Sequence, residues 1–101
     1  MIMKKKFIVC INDSNREQDK KFIEFLRAHG LGWWHYLKNT WLIVDSSGEK
    51  SVNEIRDIAK DSFDKAYNLV FQLNEDEGTW SGFGPSSDKR NMFKWIKENW
   101  N

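Results

Sequence analysis

A chain of 101 residues, 31% charged and 40% hydrophobic, forms one domain spanning residues 1–101, because two cores would not fit. Sixteen Lys and Arg against fifteen Asp and Glu leave a net charge of +1, which excludes a strongly basic nucleic-acid binder and a strongly acidic tail protein. The single Cys10 excludes an intramolecular disulfide and a cysteine zinc site, and one Pro with six Gly excludes a collagen-like or Pro-rich chain.

Three lysines, Lys4, Lys5 and Lys6, precede an apolar run over residues 7–11 that Asn12 and Asp13 end. That run is shorter than the roughly 7–15 apolar residues of a secretion signal. No stretch approaches the roughly 18 apolar residues of a membrane span. The expectation is a cytoplasmic protein without membrane association, and a free thiol fits a reducing compartment.

Residues 5–11 are short, β-branched and aromatic, and read as a buried strand. Ser14-x-x-Glu17 has the form of a capping box, so a helix is predicted to open at Ser14. Phe22, Phe25, Leu26 and His29 recur at helical spacing, and Gly30 is placed to stop the helix. Residues 33–37 and 40–45 read as a hairpin turned at Lys38-Asn39, since Asn tolerates the positive φ of tight turns. Alternation puts Trp33, His35 and Leu37 on one face and Trp34 and Tyr36 on the other. In the second strand of the hairpin, Thr40, Leu42 and Val44 oppose Trp41, Ile43 and Asp45.

Ser51-x-x-Glu54 is a second capping box, followed at helical spacing by Ile55, Ile58, Ala59 and Phe63. Residues 67–73 alternate, with Tyr67, Leu69, Phe71 and Leu73 on one face and Asn68, Val70 and Gln72 on the other, the pattern of a half-buried strand. An acidic loop is expected over residues 74–77. The Gly-rich residues 78–85 leave room for a short fifth strand. A last helix capped by Ser87 or Asp88 carries the stripe Met92, Trp95, Ile96 and Trp100.

The order is β-α-β-β-α-β plus a C-terminal helix. Right-handed crossovers place both central helices on one sheet face. The predicted fold is therefore α+β: a ferredoxin-like β-α-β-β-α-β sandwich on an antiparallel sheet, of strand order 4-1-3-2. Its second face needs a cover, which the C-terminal helix, a second subunit, a nucleic acid or water would supply.

Residues 32–44, Gly-Trp-Trp-His-Tyr-Leu-Lys-Asn-Thr-Trp-Leu-Ile-Val, resemble a stretch of small bacterial and phage proteins of the SinR family. In these a Trp-Trp-His-Tyr-Leu hairpin is followed by Thr-Trp-Leu-Val. The helix beginning near Ser51 and the terminal Trp95-Ile96-Lys97-Glu98-Asn99 are similar too, so the resemblance covers most of the chain. The fold of that family is similar to that of the small CRISPR-associated integrase partner, a ferredoxin-like homodimer that binds duplex DNA and has been described as a metal-dependent nuclease. The resemblance implies a nuclease carboxylate at the end of the first strand. The matching position holds Asn12, with Asp13 beside it, and an amide is a weaker ligand for a hard cation. Asp13 serves equally as a helix-flanking anion.

No cofactor motif and no nucleophile–base–acid set can be drawn. The glycines of residues 82–87 lack the Gly-Lys-Ser/Thr that grips phosphate. His35 has no spaced ligand partner, and Cys10, between Val9 and Ile11, reads as a small buried hydrophobe. The informative feature is the aromatic hairpin. Trp33, Trp34, Tyr36 and Trp41, with His35 among them, cannot all face the helices. Rings on an open sheet face serve either base stacking on DNA or RNA, or a protein interface. The ribonucleoprotein signature is absent from the first strand. The reading is an interaction module, a homodimer or the partner of another protein. The alternative is a nucleic-acid-binding, nuclease-like protein with Asp13 as its candidate catalytic residue.

Overall fold

A computed structural model describes residues 4–73 and 80–100. The elements are β1 (Lys5–Ile11), α1 (Arg16–Ala28), β2 (Gly32–Leu37), β3 (Thr40–Asp45), α2 (Val52–Ser62), β4 (Asn68–Leu73) and a π-helical turn, Ile96–Trp100. The molecule is α+β. Its four strands run in the order β2-β3-β1-β4, with every neighbouring pair antiparallel. Read from the β4 edge the order is 4-1-3-2, with β1 and β3 central and β2 and β4 at the edges.

Both helices cover the face carrying Phe7, Val9 and Ile11 of β1 and Trp41 and Ile43 of β3. Against these pack Phe22 and Leu26 from α1 and Ile55, Ala59 and Phe63 from α2, all essentially solvent-free. The spacing of these residues at three and four positions puts one apolar stripe of each helix on the sheet.

The cap of α1 differs from the expected one. Asn15, not Ser14, is the N-cap: its side chain accepts from the Gln18 N–H at 2.8 Å, and Gln18 Oε1 accepts from the Asn15 N–H at 3.0 Å. The same reciprocal geometry is built one residue later, because Asn caps as well as Ser and Gln substitutes for Glu. The Ser14 hydroxyl instead donates to Asp19 at 2.6 Å. Asn15→Ala is therefore expected to lower stability by about 1 kcal/mol, while Ser14→Ala costs less, as urea midpoints would show. The α2 box of Ser51 and Glu54 forms as the spacing predicts. Helix α1 ends in a Schellman arrangement. Gly30, at φ 69°, donates to Arg27 and Leu31 donates to Leu26.

The β3–α2 connection turns on Asp45, buried at the end of β3. Burial works against its charge, but the Ser47 hydroxyl at 2.6 Å and the Lys50, Ser47 and Gly48 N–H groups outweigh that and hold its pKa below the ordinary carboxylate value. A lowered folded-state pKa contributes stability above the unfolded value and loses it as pH falls through the folded one. Asp45→Asn should thus cost about 1.5 kcal/mol at neutral pH, with the gap from wild type closing under acid conditions. Chemical denaturation across pH checks this.

The C-terminal helix is shorter than the sequence suggests. Ser87 and Asp88 lie in an irregular stretch bridged from Ser86 to Asn91. Asn91 provides the cap, its side-chain oxygen accepting from Phe93 and Lys94. The expected acidic loop of residues 74–77 lies outside the described residues, as do Gly78 and Thr79. Residues 80–85 form no strand. Among the described residues no helix is long and apolar enough to cross a membrane.

Candidate interaction surface

The aromatic hairpin is folded largely inward. Trp41 is 0% exposed. Its ring meets Phe22 edge-on at 4.9 Å, and His35 stacks flat against it at 3.7 Å. His35 Nε2 lies 2.9 Å from the Lys38 carbonyl. A carbonyl only accepts, so this nitrogen carries the proton, and the imidazole braces the hairpin turn. Trp33 is half-buried on the helix side with the Arg27 guanidinium 5.3 Å from its ring.

On the opposite face Trp34 is 4% exposed, and its indole N–H donates to the Met92 carbonyl at 2.7 Å. Tyr36 is half-buried beside it, 5.6 Å away, with Arg90 5.9 Å from its ring. The C-terminal segment thus covers the β2 side of the second face, through Met92, Ile96 and Trp100 over Ile8 and Leu42. Within the single chain Trp34 and Trp41 are core residues, while Trp33, Trp34, His35 and Tyr36 also border a surface groove with Trp95. Trp33, His35 and Tyr36 are partly covered by their own neighbours.

Leu37 also departs from simple alternation. A register shift between Trp34 and Leu37 inserts an extra residue in β2. Trp34 pairs with Leu42 and Leu37 with Thr40, so Leu37 turns to the same face as Trp34 rather than that of Trp33.

The surface left open belongs to β4. Pairing sets Asn68, Val70 and Gln72 opposite Ile11, Val9 and Phe7, toward the helices. Leu69 and Phe71 stand opposite Cys10 and Ile8 on the other face, 59% and 49% exposed, and Tyr67 is 81% exposed. A slip of one residue would bury Leu69 and Phe71 against the helices and release Asn68, whose buried side-chain oxygen has no hydrogen-bond partner among the described residues. The observed register therefore turns the more apolar face of β4 outward. Cys10, expected to be buried, is half-buried between Thr40 and Leu69 on this open face. Beside the β4 edge, Val52, Asn53 and Arg56 of α2 border a shallow groove of about 160 Å³.

The Asn12–Asp13 corner is bonded to its neighbours. The Asn12 side-chain oxygen accepts from the Tyr67 N–H at 2.8 Å and ties the end of β1 to the start of β4. Asp13 is exposed. Its hydrogen bond and ion pair with Lys38, at 3.2 Å, and the Ser14 N–H hold its carboxyl below the ordinary value. Among the described residues no three His, Cys, Asp or Glu side chains are grouped to hold a metal ion. Sequence reasoning missed Leu69 and Phe71 as surface residues. The alternation of β4 named the face but not the side on which the helices lie.

No protein-family model matches the chain, and neither a curated protein nor a solved structure matches it.

Proposed function

We propose that this chain is a small, cytoplasmic, non-catalytic interaction module with a ferredoxin-like fold, akin to the SinR-like proteins its hairpin resembles, and that it works as a homodimer joined along β4. The observation that carries the reading is the outward-turned apolar face of an edge strand. Asn68–Leu73 contains no charge and no proline, the devices by which edge strands usually discourage pairing. A two-fold axis perpendicular to β4 pairs two such strands antiparallel and joins two four-stranded sheets into one of eight. Each residue then meets its equivalent's surroundings, as an isologous contact requires. Leu69, Phe71 and Tyr67 of both chains would line one side of that seam, and the groove beside α2 would receive side chains on the other. A standard interface takes about 800 Å² per partner, a modest part of the 7095 Å² surface of this chain. With a net charge of +1, two copies repel each other little.

Light scattering over a dilution series tests the reading. The expected mass at high concentration is twice the 12.1 kDa of one chain, falling toward the single-chain value on dilution. A single-chain mass throughout contradicts it.

A further inference from the structure

The C-terminal segment does not fill the space it covers. Between it and the sheet lies a cavity of about 370 Å³. Its floor is Ile8 and Leu42 of the sheet with Leu73, and its walls are the rings of Trp34, Trp80 and Trp100. Trp80 and Phe93 lie nearly parallel, with ring centres 6.1 Å apart, as flat walls on one side. Among the described residues, no charged side chain lines the cavity. The exposed residues Leu37, Ser81 and Gly82 mark its mouth. The Thr40 hydroxyl, also in the lining, makes no hydrogen bond among the described residues.

The segment over this cavity is anchored. Trp34 donates to the Met92 carbonyl, the Lys6 ammonium lies 5.9 Å from the Trp100 ring centre, and Lys4 donates to the Asn99 carbonyl at 2.8 Å. The space is therefore held open by the fold rather than left by a loose end. A close-packed interior does not ordinarily leave such a volume, and water finds few polar partners on apolar walls. The size falls in the range of small-molecule sites, as does the pattern of mostly apolar walls with a few polar groups.

We propose that this cavity is a binding site for an uncharged, planar aromatic small molecule carrying one hydrogen-bonding group. The apolar, uncharged lining formed by the described residues selects against ions, because a charge buried against it would go unpaired. Flat indole and phenyl walls favour a flat ring, which stacks offset or edge-on against them. The Thr40 hydroxyl, with that of Ser81 at the mouth, supplies a polar contact to an amine or hydroxyl of the ligand. The site shares Leu73 with β4, but the exposed Tyr67, Leu69 and Phe71 of the seam lie outside it, so the two readings are tested separately.

The test uses N-phenyl-1-naphthylamine, an uncharged aromatic amine whose fluorescence rises in apolar surroundings. Titration into the full chain is expected to saturate at one probe per chain. Thr40→Trp and Leu73→Trp each place a ring in the cavity and should weaken binding at least tenfold. Leu69→Glu, which removes the exposed β4 patch, should leave binding unchanged. In the unaltered protein, the indole N–H resonances of Trp34 and Trp100 should shift on saturation while that of Trp41 stays in place. This reading does not depend on how the variants fold. Uptake that never saturates, binding that survives in folded filling variants or is lost with Leu69→Glu, or an unmoved Trp34 and Trp100, would overturn the proposal.

Discussion

Leu69→Glu is expected to convert the dimer to a monomer without unfolding the chain. Leu69 is exposed on the single chain, so a carboxylate there meets water and leaves the core intact. In the dimer the same carboxylate would be buried near its two-fold equivalent, where charge is both desolvated and repelled. Loss of a central apolar contact alone reaches about 2 kcal/mol at interface hot spots, and a buried like-charge pair adds to that. The dissociation constant should rise by a factor of about 30 or more, each 1.4 kcal/mol being tenfold. Sedimentation velocity at matched concentrations measures it. Leu69→Val should leave the dimer in place, because it keeps the surface apolar. If Leu69→Glu sediments as the unaltered protein does, β4 is not the seam.

Trp41→Ala should produce the largest loss of folding stability of any single change in the hairpin. The ring is fully buried between His35, Phe22 and Phe63, so its removal strips contacts from both helices and from β2 at once. Truncations of this kind cost about 3–5 kcal/mol, against the 5–15 kcal/mol that holds a typical domain together. Trp41→Phe should cost less, since a smaller ring retains part of the packing. It also removes a buried indole N–H that has no hydrogen-bond partner among the described residues. Thermal unfolding followed by circular dichroism separates the two. A Trp41→Ala protein as stable as the original would mean that the stacked His35 and the two phenylalanines do not depend on the ring between them.

These two outcomes separate what was legible in the sequence from what was not. Helical spacing located α1 and α2, and Phe22, Leu26, Ile55 and Phe63 occupy the buried positions that the spacing assigned. Alternation in β3 correctly divided Trp41 and Ile43 from Leu42. Alternation in β4 divided Leu69 and Phe71 from Val70 equally well, yet left open which set meets the helices. Long-range pairing to β1 decides that, and a strand's own residues carry no record of it. Leu37 changed faces because an extra residue in β2 breaks the period of two, a local event with no Gly or Pro to announce it. The C-terminal helix came out short because Asn91 caps it in place of Ser87 or Asp88, all three being good caps on residue type alone. The cavity was invisible in the sequence. It arises where a segment distant along the chain arches over the sheet, and its lining comes from all four strands and the C-terminal arch.

Amide hydrogen exchange reads β4 directly as a joining edge. In a single chain, the Asn68 and Val70 amides lie on the side of β4 that faces away from β1. In the dimer they bond across the seam. The prediction is that protection at Asn68 and Val70 rises with protein concentration, while the β2 edge is unaffected. Exchange of the β4 amides at one unchanging rate from dilute to concentrated protein, or protection that grows along β2 instead, would contradict it.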